Sequence, residues 1–120
     1  MTRSSGILLP VSALPSPCGI GDLGTAAREF IDFLAAAGQR HWQILPLNPP
    51  DSAHSPYLSA STFAGSTDLL SPEPFLARGA LTADEVRSVD WGGDPVRVDY
   101  GRGHAGKTAL WAAAFAREQA

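Results

Sequence analysis

Apolar positions in the first fifty residues form two short runs with an amphipathic segment between them. The runs, residues 6–11 and 42–47, are apolar nearly throughout and are bounded by Gly or Pro, which predicts two buried strands. Residues 25–38 predict a helix, because Thr25 can cap its start and Gly38 can end it in the left-handed conformation. Its apolar residues recur at helical spacing: Phe30, Phe33, Leu34 and Ala37. Strand, helix and strand in this order predict a βαβ unit with parallel strands.

The pattern after residue 47 is less regular. Residues 48–74 are rich in Ser, Pro, Asp and Gly and predict a long loop. Residues 74–81 predict a short helix that ends at Gly79. Thr82 and Glu85 have the spacing of a capping box, which predicts the start of another short helix.

The last part of the chain contains a known pattern. Residues 96–100, VRVDY, alternate and predict a brief strand, and a final helix is expected from residue 104 or 105 onward. One side of that helix carries Leu110, Trp111, Ala114 and Phe115. Residues 101–108, GRGHAGKT, match the G-x-x-x-x-G-K-[ST] pattern of phosphate-binding loops. Because such loops follow long buried strands, we favour a Gly-rich turn with Lys107 in solvent, and nucleotide binding through residues 101–108 is the alternative.

Two loops follow the predicted strands, and parallel α/β folds place function at such strand ends. In the first loop, Gly19, Gly21 and Gly24 fit the dinucleotide-binding glycine pattern. Dinucleotide binding also requires an acidic residue at the end of the second strand, and this chain has none there. A turn entering the helix is therefore the favoured interpretation. The second loop contains DSAHSPYLSAST, residues 51–62. Its Tyr57 offers an aromatic face and a hydroxyl, which suit a sugar ring, and ordinary turn chemistry around Pro56 is an equal alternative.

Composition narrows the function classes. The chain has 120 residues, 44% hydrophobic and 18% charged, and a formal net charge of -3. This predicts one compact unit and gives no basis for a nucleic-acid partner. Cys18 is the single cysteine, which favours a reducing, cytoplasmic setting, and we predict that it is a small packed residue rather than a reactive thiol. Pro10 and Pro15 interrupt the early apolar patch, so neither a signal peptide nor a membrane partner is expected.

Other catalytic patterns are not evident. The three histidines, at positions 41, 54 and 104, do not have metal-ligand spacing, so no metal or other cofactor is predicted. His54 is interpreted as a solvated loop histidine, and no Ser–His–Asp spacing supports nucleophilic catalysis. Trp42 lies inside the second apolar run and is expected in the core.

Three blocks in a fixed order make the chain recognisable. They are GILLPVSALPSPCGIGDLG, then FIDFLAAAGQR followed by WQILPL, then SPYLSASTFAG. Together with VDYG and a following lysine, they closely resemble the amylomaltases. These are 4-alpha-glucanotransferases, called disproportionating enzymes in plants. The resemblance spans about residues 3–120. Because the family has VDYG and a following lysine without binding nucleotide, the match of residues 101–108 to a phosphate loop is interpreted as coincidence.

The resemblance implies an N-terminal part of a (β/α)8 barrel of the TIM type, with inserted helical and loop segments. Residues 6–11 and 42–47 would be the first two barrel strands, and residues 68–120 an inserted subdomain segment. A barrel needs about 250 residues, so the remainder would lie outside this chain. The implied reaction transfers segments of α-1,4-glucan to an acceptor glucan by a retaining mechanism with a covalent glycosyl–enzyme intermediate.

The resemblance also assigns residues. The catalytic carboxylates would lie beyond Ala120, so no catalytic residue is assigned here and the chain alone is expected to be inactive. Ser55, Pro56 and Tyr57 match the family's Ser-Pro-Tyr beside the sugar cleft, with Tyr57 as sugar platform and Ser55 as a loop-shaping or hydrogen-bonding residue. A non-catalytic sugar-binding or structural fragment is the alternative. With two unpaired strand edges, the 120-residue chain alone is predicted to be unstable or to aggregate.

Overall fold

The computed structural model describes residues 3–94 and 96–120 of the chain. Its first half is a βαβ unit, as predicted. Strand β1, Gly6–Leu8, pairs in parallel with β2, His41–Gln43, and helix α1, Thr25–Ala36, connects them. Ile7 is level with Trp42 in the register. The fold is therefore α/β, with two adjacent parallel strands connected by a helix.

Both strands are shorter and more exposed than predicted. β1 ends before Pro10, which has no N–H to donate, and a 3-10 turn, Val11–Ala13, follows directly. In the strands, Ile7 is 42% exposed and Leu8 56% exposed. The expectation of buried strands over residues 6–11 and 42–47 is therefore wrong for this chain. The reason is that Ile7 and Leu8 point to opposite faces of the sheet and the described residues leave both of them partly uncovered.

A small core lies between α1 and the sheet. Val11, Leu14 and Ala27 are buried there, with Phe30 and Trp42 packed against them. The Trp42 ring meets Phe30 edge to face at 5.1 Å, and its indole N–H donates to the Leu9 carbonyl (2.8 Å). Trp42 is partly buried and packs against this core, which agrees with its expected position.

Helix α1 has a glycine close to each end. Gly24, not Thr25, is the N-cap residue, and the Thr25 N–H instead donates to the Glu73 carboxylate at 3.0 Å. At the other end Gly38 has φ 71°, so the predicted left-handed ending is confirmed. Of the four apolar residues expected on one face, Leu34 is buried and Phe30 partly buried, whereas Phe33 and Ala37 are exposed.

The described residues of the second half form a 3-10 turn, Thr67–Leu69, within the region predicted as a long loop, and three α-helices: α2, Glu73–Ala77; α3, Ala83–Ser88; and α4, Tyr100–Glu118. The predicted capping box of α3 is present, with the Thr82 hydroxyl and the Glu85 carboxylate each accepting from the other's backbone N–H. Helix α4 begins four residues earlier than expected, because the Asp99 carboxylate accepts from the Arg102 N–H at 3.0 Å and caps the helix.

The brief strand expected at residues 96–100 is not present. The Asp94 carboxylate accepts from the Val96 N–H at 2.9 Å, which forms a turn, and Tyr100 already belongs to α4. A second core joins α2, α3 and α4 around four buried residues: Ala80, Leu81, Leu110 and Ala114. Trp111 packs against this core, whereas Phe115 is 63% exposed, so the predicted apolar side of α4 is correct except for Phe115.

No helix among the described residues has the length and apolar character needed to cross a membrane.

Candidate functional site

The connection that leaves β2 folds back on itself. The Ser66 N–H donates to the Leu47 carbonyl at 2.8 Å and joins its two ends. The Asn48 side-chain amide donates to the carbonyls of Thr62 and Ala64, at 2.8 and 3.0 Å. Residues 48–66, the β2 loop, therefore form a closed surface loop of the kind that often carries function.

Backbone hydrogen bonds also fix the tip of the β2 loop. The Asp51 N–H donates to the Leu58 carbonyl (2.8 Å), and the Leu58 N–H donates to the Ser55 carbonyl (3.1 Å). The Ser55 hydroxyl oxygen accepts from the Tyr57 N–H at 3.4 Å. These bonds hold the backbone on both sides of Tyr57. The Tyr57 side chain itself is 72% exposed.

A cavity of about 220 Å³ lies beside this tip, at the carboxyl ends of both strands. Pro56 forms part of its wall, whereas Ser55 and Tyr57 adjoin it in the loop without lining it. Polar side chains around the cavity come from separate parts of the chain: Ser12, Asn48, His54, Ser66, Asp68 and Tyr100. The cavity therefore gathers hydrogen-bonding groups where α/β folds place their ligands.

His54 connects the β2 loop to α4. Its backbone is left-handed, with φ 56°, and its ring stacks on Tyr100 with centroids 4.1 Å apart and planes 8° apart. The expectation of a simply solvated histidine missed this contact. The two residues are distant in sequence, so no local pattern indicates the contact.

A larger and more open cleft, about 860 Å³, lies between residues 12–21 and the turn that precedes α4. Its described walls are rich in Pro and Gly and include none of residues 55–57. We assign the candidate site to the smaller cavity, because that cavity combines several polar side chains with the fixed tip of the β2 loop.

Lys107 is buried, contrary to the prediction that it is solvated. It is 0% exposed, and its ammonium group has three acceptors: the Asp68 carbonyl at 2.5 Å, the Leu70 carbonyl at 3.0 Å and the Asp22 carboxylate at 3.5 Å. Burial lowers the pKa of Lys107 from its ordinary value, and the Asp22 carboxylate opposes that shift. All three N–H donors of the ammonium group are therefore used within the protein.

The nucleotide-binding alternative for residues 101–108 is wrong. These residues lie inside α4, whereas a phosphate loop needs a non-helical backbone whose N–H groups converge on the phosphates. Gly106 has a packing role instead, because a Cβ there would collide with Val89 and press against Trp91. The Lys107 ammonium group already has its three internal acceptors, so it cannot reach a phosphate.

The dinucleotide pattern at Gly19, Gly21 and Gly24 also has a structural explanation. A Cβ on Gly21 would collide with backbone atoms of Val11 and Leu14. The α1 N-terminus, where a pyrophosphate would bind, is already occupied by carboxylates: Glu73 accepts from the Thr25 N–H and Asp22 accepts from the Gly24 N–H, each at 3.0 Å. The favoured interpretation, a turn entering the helix, is confirmed.

Cys18 is buried, as predicted for a packed residue. Burial raises the pKa of its thiol above the ordinary value, while the positive charge of Lys107 acts in the opposite direction. A raised pKa keeps the thiol protonated at neutral pH and unreactive. Within residues 3–94 and 96–120, no group of three or more His, Cys, Asp or Glu side chains is placed to hold a metal ion.

Comparison with known proteins gives a consistent result. The family described as 4-alpha-glucanotransferase matches residues 9–120. The chain is 44% identical over 115 residues to the 4-alpha-glucanotransferase of Thermus thermophilus, covering 96% of this chain and 22% of that protein. It is 43% identical over 100 residues to the 4-alpha-glucanotransferase of Streptococcus pneumoniae strain TIGR4, covering 83% of this chain and 20% of that protein.

A solved structure agrees with these relatives. The amylomaltase from Streptococcus agalactiae in complex with acarbose superposes on 95% of this chain with a TM-score of 0.90 at 35% identity. The match covers 23% of the amylomaltase chain, so the present chain spans about a fifth of the length of the proteins it matches. On its family match and on these relatives, the chain belongs to the 4-alpha-glucanotransferase family.

Proposed function

We propose that this protein is a 4-alpha-glucanotransferase that moves segments of α-1,4-glucan from a donor to an acceptor glucan. The observation that carries the proposal is the superposition of nearly the whole chain, with a TM-score of 0.90, on an amylomaltase bound to acarbose. The reaction would retain configuration through a covalent glycosyl–enzyme intermediate. No Asp or Glu of this chain is assigned to that chemistry, and no cofactor or metal is included in the proposal.

In this proposal, β1 and β2 are the first two strands of a (β/α)8 barrel and residues 68–120 form the inserted segment. Two features support it. The strands are parallel neighbours joined by a helix, which is the repeating unit of such barrels. Helices α2, α3 and α4 pack around a core of their own, as an inserted subdomain would. The single, buried Cys18 supports the proposal of a cytoplasmic enzyme.

The β2 loop is proposed to bind the glucan through Ser55, Pro56 and Tyr57. The exposed ring of Tyr57 would lie against the apolar face of a glucose unit, and Ser55 would hold the turn that presents it. Pro56 belongs to the wall of the cavity at the strand ends. The role is therefore binding and orientation, separate from the carboxylate chemistry.

The test is disproportionation of maltotriose by the full-length gene product. We expect glucose together with a ladder of longer maltooligosaccharides. Replacing Tyr57 by Ala should raise KM for maltotriose about tenfold, the effect of losing roughly 1.4 kcal/mol of binding. Tyr57→Phe keeps the ring and should retain most of the affinity.

Phe115→Ala is the matched control, because it also removes an exposed aromatic ring, from the last turns of α4. It should leave both kcat and KM unchanged. A folded full-length protein that gives no ladder would contradict the transferase proposal. An active enzyme in which Tyr57→Ala behaves like Phe115→Ala would contradict the role of Tyr57 alone.

A further inference from the structure

The segment that follows the β2 loop has an unusual pattern of hydrogen bonds. In residues 67–70, the anchor segment, all four backbone carbonyls accept a donor from elsewhere in the chain. The Trp111 indole N–H donates to Thr67 at 3.1 Å, and the Leu23 N–H donates to Leu69 at 3.0 Å. The Lys107 ammonium group donates to the remaining two, Asp68 and Leu70.

Three of these four carbonyls are therefore held by two side chains of a single helix, α4. Lys107 and Trp111 lie four residues apart, on one face of that helix. The same helix face also reaches the anchor segment through His104, whose ring nitrogen lies 3.0 Å from the Asp68 carboxylate. The position of the anchor segment thus depends on α4.

The anchor segment in turn shapes the candidate site. Asp68 and Leu69 line the 220 Å³ cavity, together with Pro56 of the β2 loop and Tyr100 of α4. The β2 loop joins the anchor segment directly at Ser66, whose N–H is held by the Leu47 carbonyl. A shift of the anchor segment would move one wall of the cavity and one end of the glucan-binding loop.

We propose that Lys107 is a positioning residue: with Trp111, it holds the anchor segment against α4 and so fixes the cavity wall and the end of the β2 loop on which glucan binding depends. The inference deepens the proposed function and rests on it. A lysine is suited to this task, because one ammonium group can donate to two carbonyls, those of Asp68 and Leu70, and to a carboxylate at the same time. Its complete burial keeps water from competing for those acceptors.

A merely structural role is the competing explanation, because removing Lys107 leaves the buried Asp22 carboxylate without its positively charged partner and with only the Gly24 N–H as a donor. Two variants separate the roles. Lys107→Met removes the positive charge at similar length. Lys107→Met combined with Asp22→Asn also removes the unpaired negative charge, and therefore should recover much of the lost stability. Neither variant restores the donors to the Asp68 and Leu70 carbonyls.

The measurement is KM and kcat for maltotriose in the full-length protein, beside the midpoint of thermal unfolding. We expect KM to rise about tenfold in both variants with kcat changed less than about threefold, while the unfolding midpoint recovers in the double variant. If KM recovers together with the midpoint, or does not rise at all, Lys107 is structural and the proposal is overturned.

Trp111→Phe covers the case in which Lys107→Met does not fold. It removes only the donor to the Thr67 carbonyl and keeps an aromatic ring beside Phe75. A rise in KM at unchanged kcat supports the anchoring role of α4, and an unchanged KM overturns it.

Hydrogen exchange distinguishes a failure of this inference from a failure of the proposed function. If the wild-type protein does not disproportionate maltotriose, amide exchange in residues 66–71 still tests the anchor. It should be at least about tenfold faster in the double variant than in wild type, with residues 30–36 of α1 unchanged. Equal exchange in the anchor segment overturns the inference whatever the activity.

Discussion

At the scale of single residues, α4 shows how two glycines in one helix have different roles. Gly106 lies where α4 approaches the residues that follow α3, and a Cβ there would collide with Val89 and sit 3.3 Å from the Trp91 ring. At Gly103, one turn earlier, a Cβ would have no atom within 4 Å other than those of its own chain neighbours and the backbone of α4. Glycine is therefore required for packing at Gly106 and only tolerated at Gly103.

Gly106→Ala and Gly103→Ala should consequently have opposite effects on stability. Replacing a helical glycine by alanine gains about 1 kcal/mol of helix propensity, and Gly103→Ala should show that gain. At Gly106 the added methyl must displace Val89 in a packed contact, which costs about 1–3 kcal/mol and outweighs the gain. Urea unfolding midpoints of the full-length variants measure both. Two variants that shift the midpoint in the same direction would contradict this account of α4.

At the scale of elements, Glu85 joins α3 to α4. Its carboxylate accepts from the Thr82 N–H and hydroxyl and receives the Arg117 guanidinium at 2.6 and 3.2 Å. Arg117 also donates to the Ala80 carbonyl at 2.7 Å. These bonds lower the pKa of Glu85 from 4.5 to about 2, the Arg117 bond contributing most. The same ion pair raises the pKa of Arg117.

The low pKa of Glu85 gives a pH dependence with a defined sign. A carboxyl group whose pKa is lower in the folded state stabilises the fold above its unfolded pKa, here 4.5, and loses that contribution as pH falls through about 2. Glu85→Gln should therefore lower the unfolding midpoint at pH 7, and the difference from wild type should shrink between pH 4.5 and 2.

Glu29→Gln is the matched control for this titration. Glu29 is an exposed glutamate of α1 to which the described residues give no ion pair, so its replacement should leave the unfolding midpoint nearly unchanged at either pH. A gap between Glu85→Gln and wild type that is as large at pH 2 as at pH 7 would show that the ion pair is not its cause.

The sequence predicted those elements whose signals are local. The capping box at Thr82 and Glu85, the left-handed end at Gly38 and the βαβ order each depend on residues close together in the chain. The start of α4 was missed, although Asp99 is a favourable N-cap residue, because the glycines after it resemble a loop. Element boundaries are the weakest part of such predictions.

The sequence indicated where the candidate site lies, but not which distant residues contact one another around it. The loop after the second strand follows from the general placement of function in α/β folds. The burial of Lys107 could not be predicted in this way, because its carboxylate partner Asp22 is 85 positions away in sequence. The His54–Tyr100 stack likewise joins a loop tip to a distant helix. Local patterns carry no information about such contacts, and a lysine beside glycines suggested solvent instead.

At the scale of the whole molecule, the sheet is the element with the most exposed apolar surface for its size. It has two strands of three residues each, and a sheet of that size is marginal in water by itself. Apolar side chains are exposed on the sheet, directly after β2 and on α1: Ile7, Leu8, Ile31, Phe33 and Ile44. In the proposed barrel, further strands and helices would cover these groups.

The 120-residue chain expressed alone should therefore associate or unfold without cooperativity, whereas the full-length product should be well behaved. Light scattering and thermal unfolding of both proteins measure this.

Leu8→Lys sharpens the test, because opposite effects are expected in the isolated chain and in the full-length protein. In the isolated chain a charge at this 56% exposed edge position should reduce association. In the full-length protein the same lysine would be buried in the barrel and should lower the unfolding midpoint. If Leu8→Lys is harmless in the full-length protein, or if the isolated chain is monomeric and melts cooperatively, then the exposed face of β1 is not a surface that further strands cover. The placement of β1 in a (β/α)8 barrel would then be wrong.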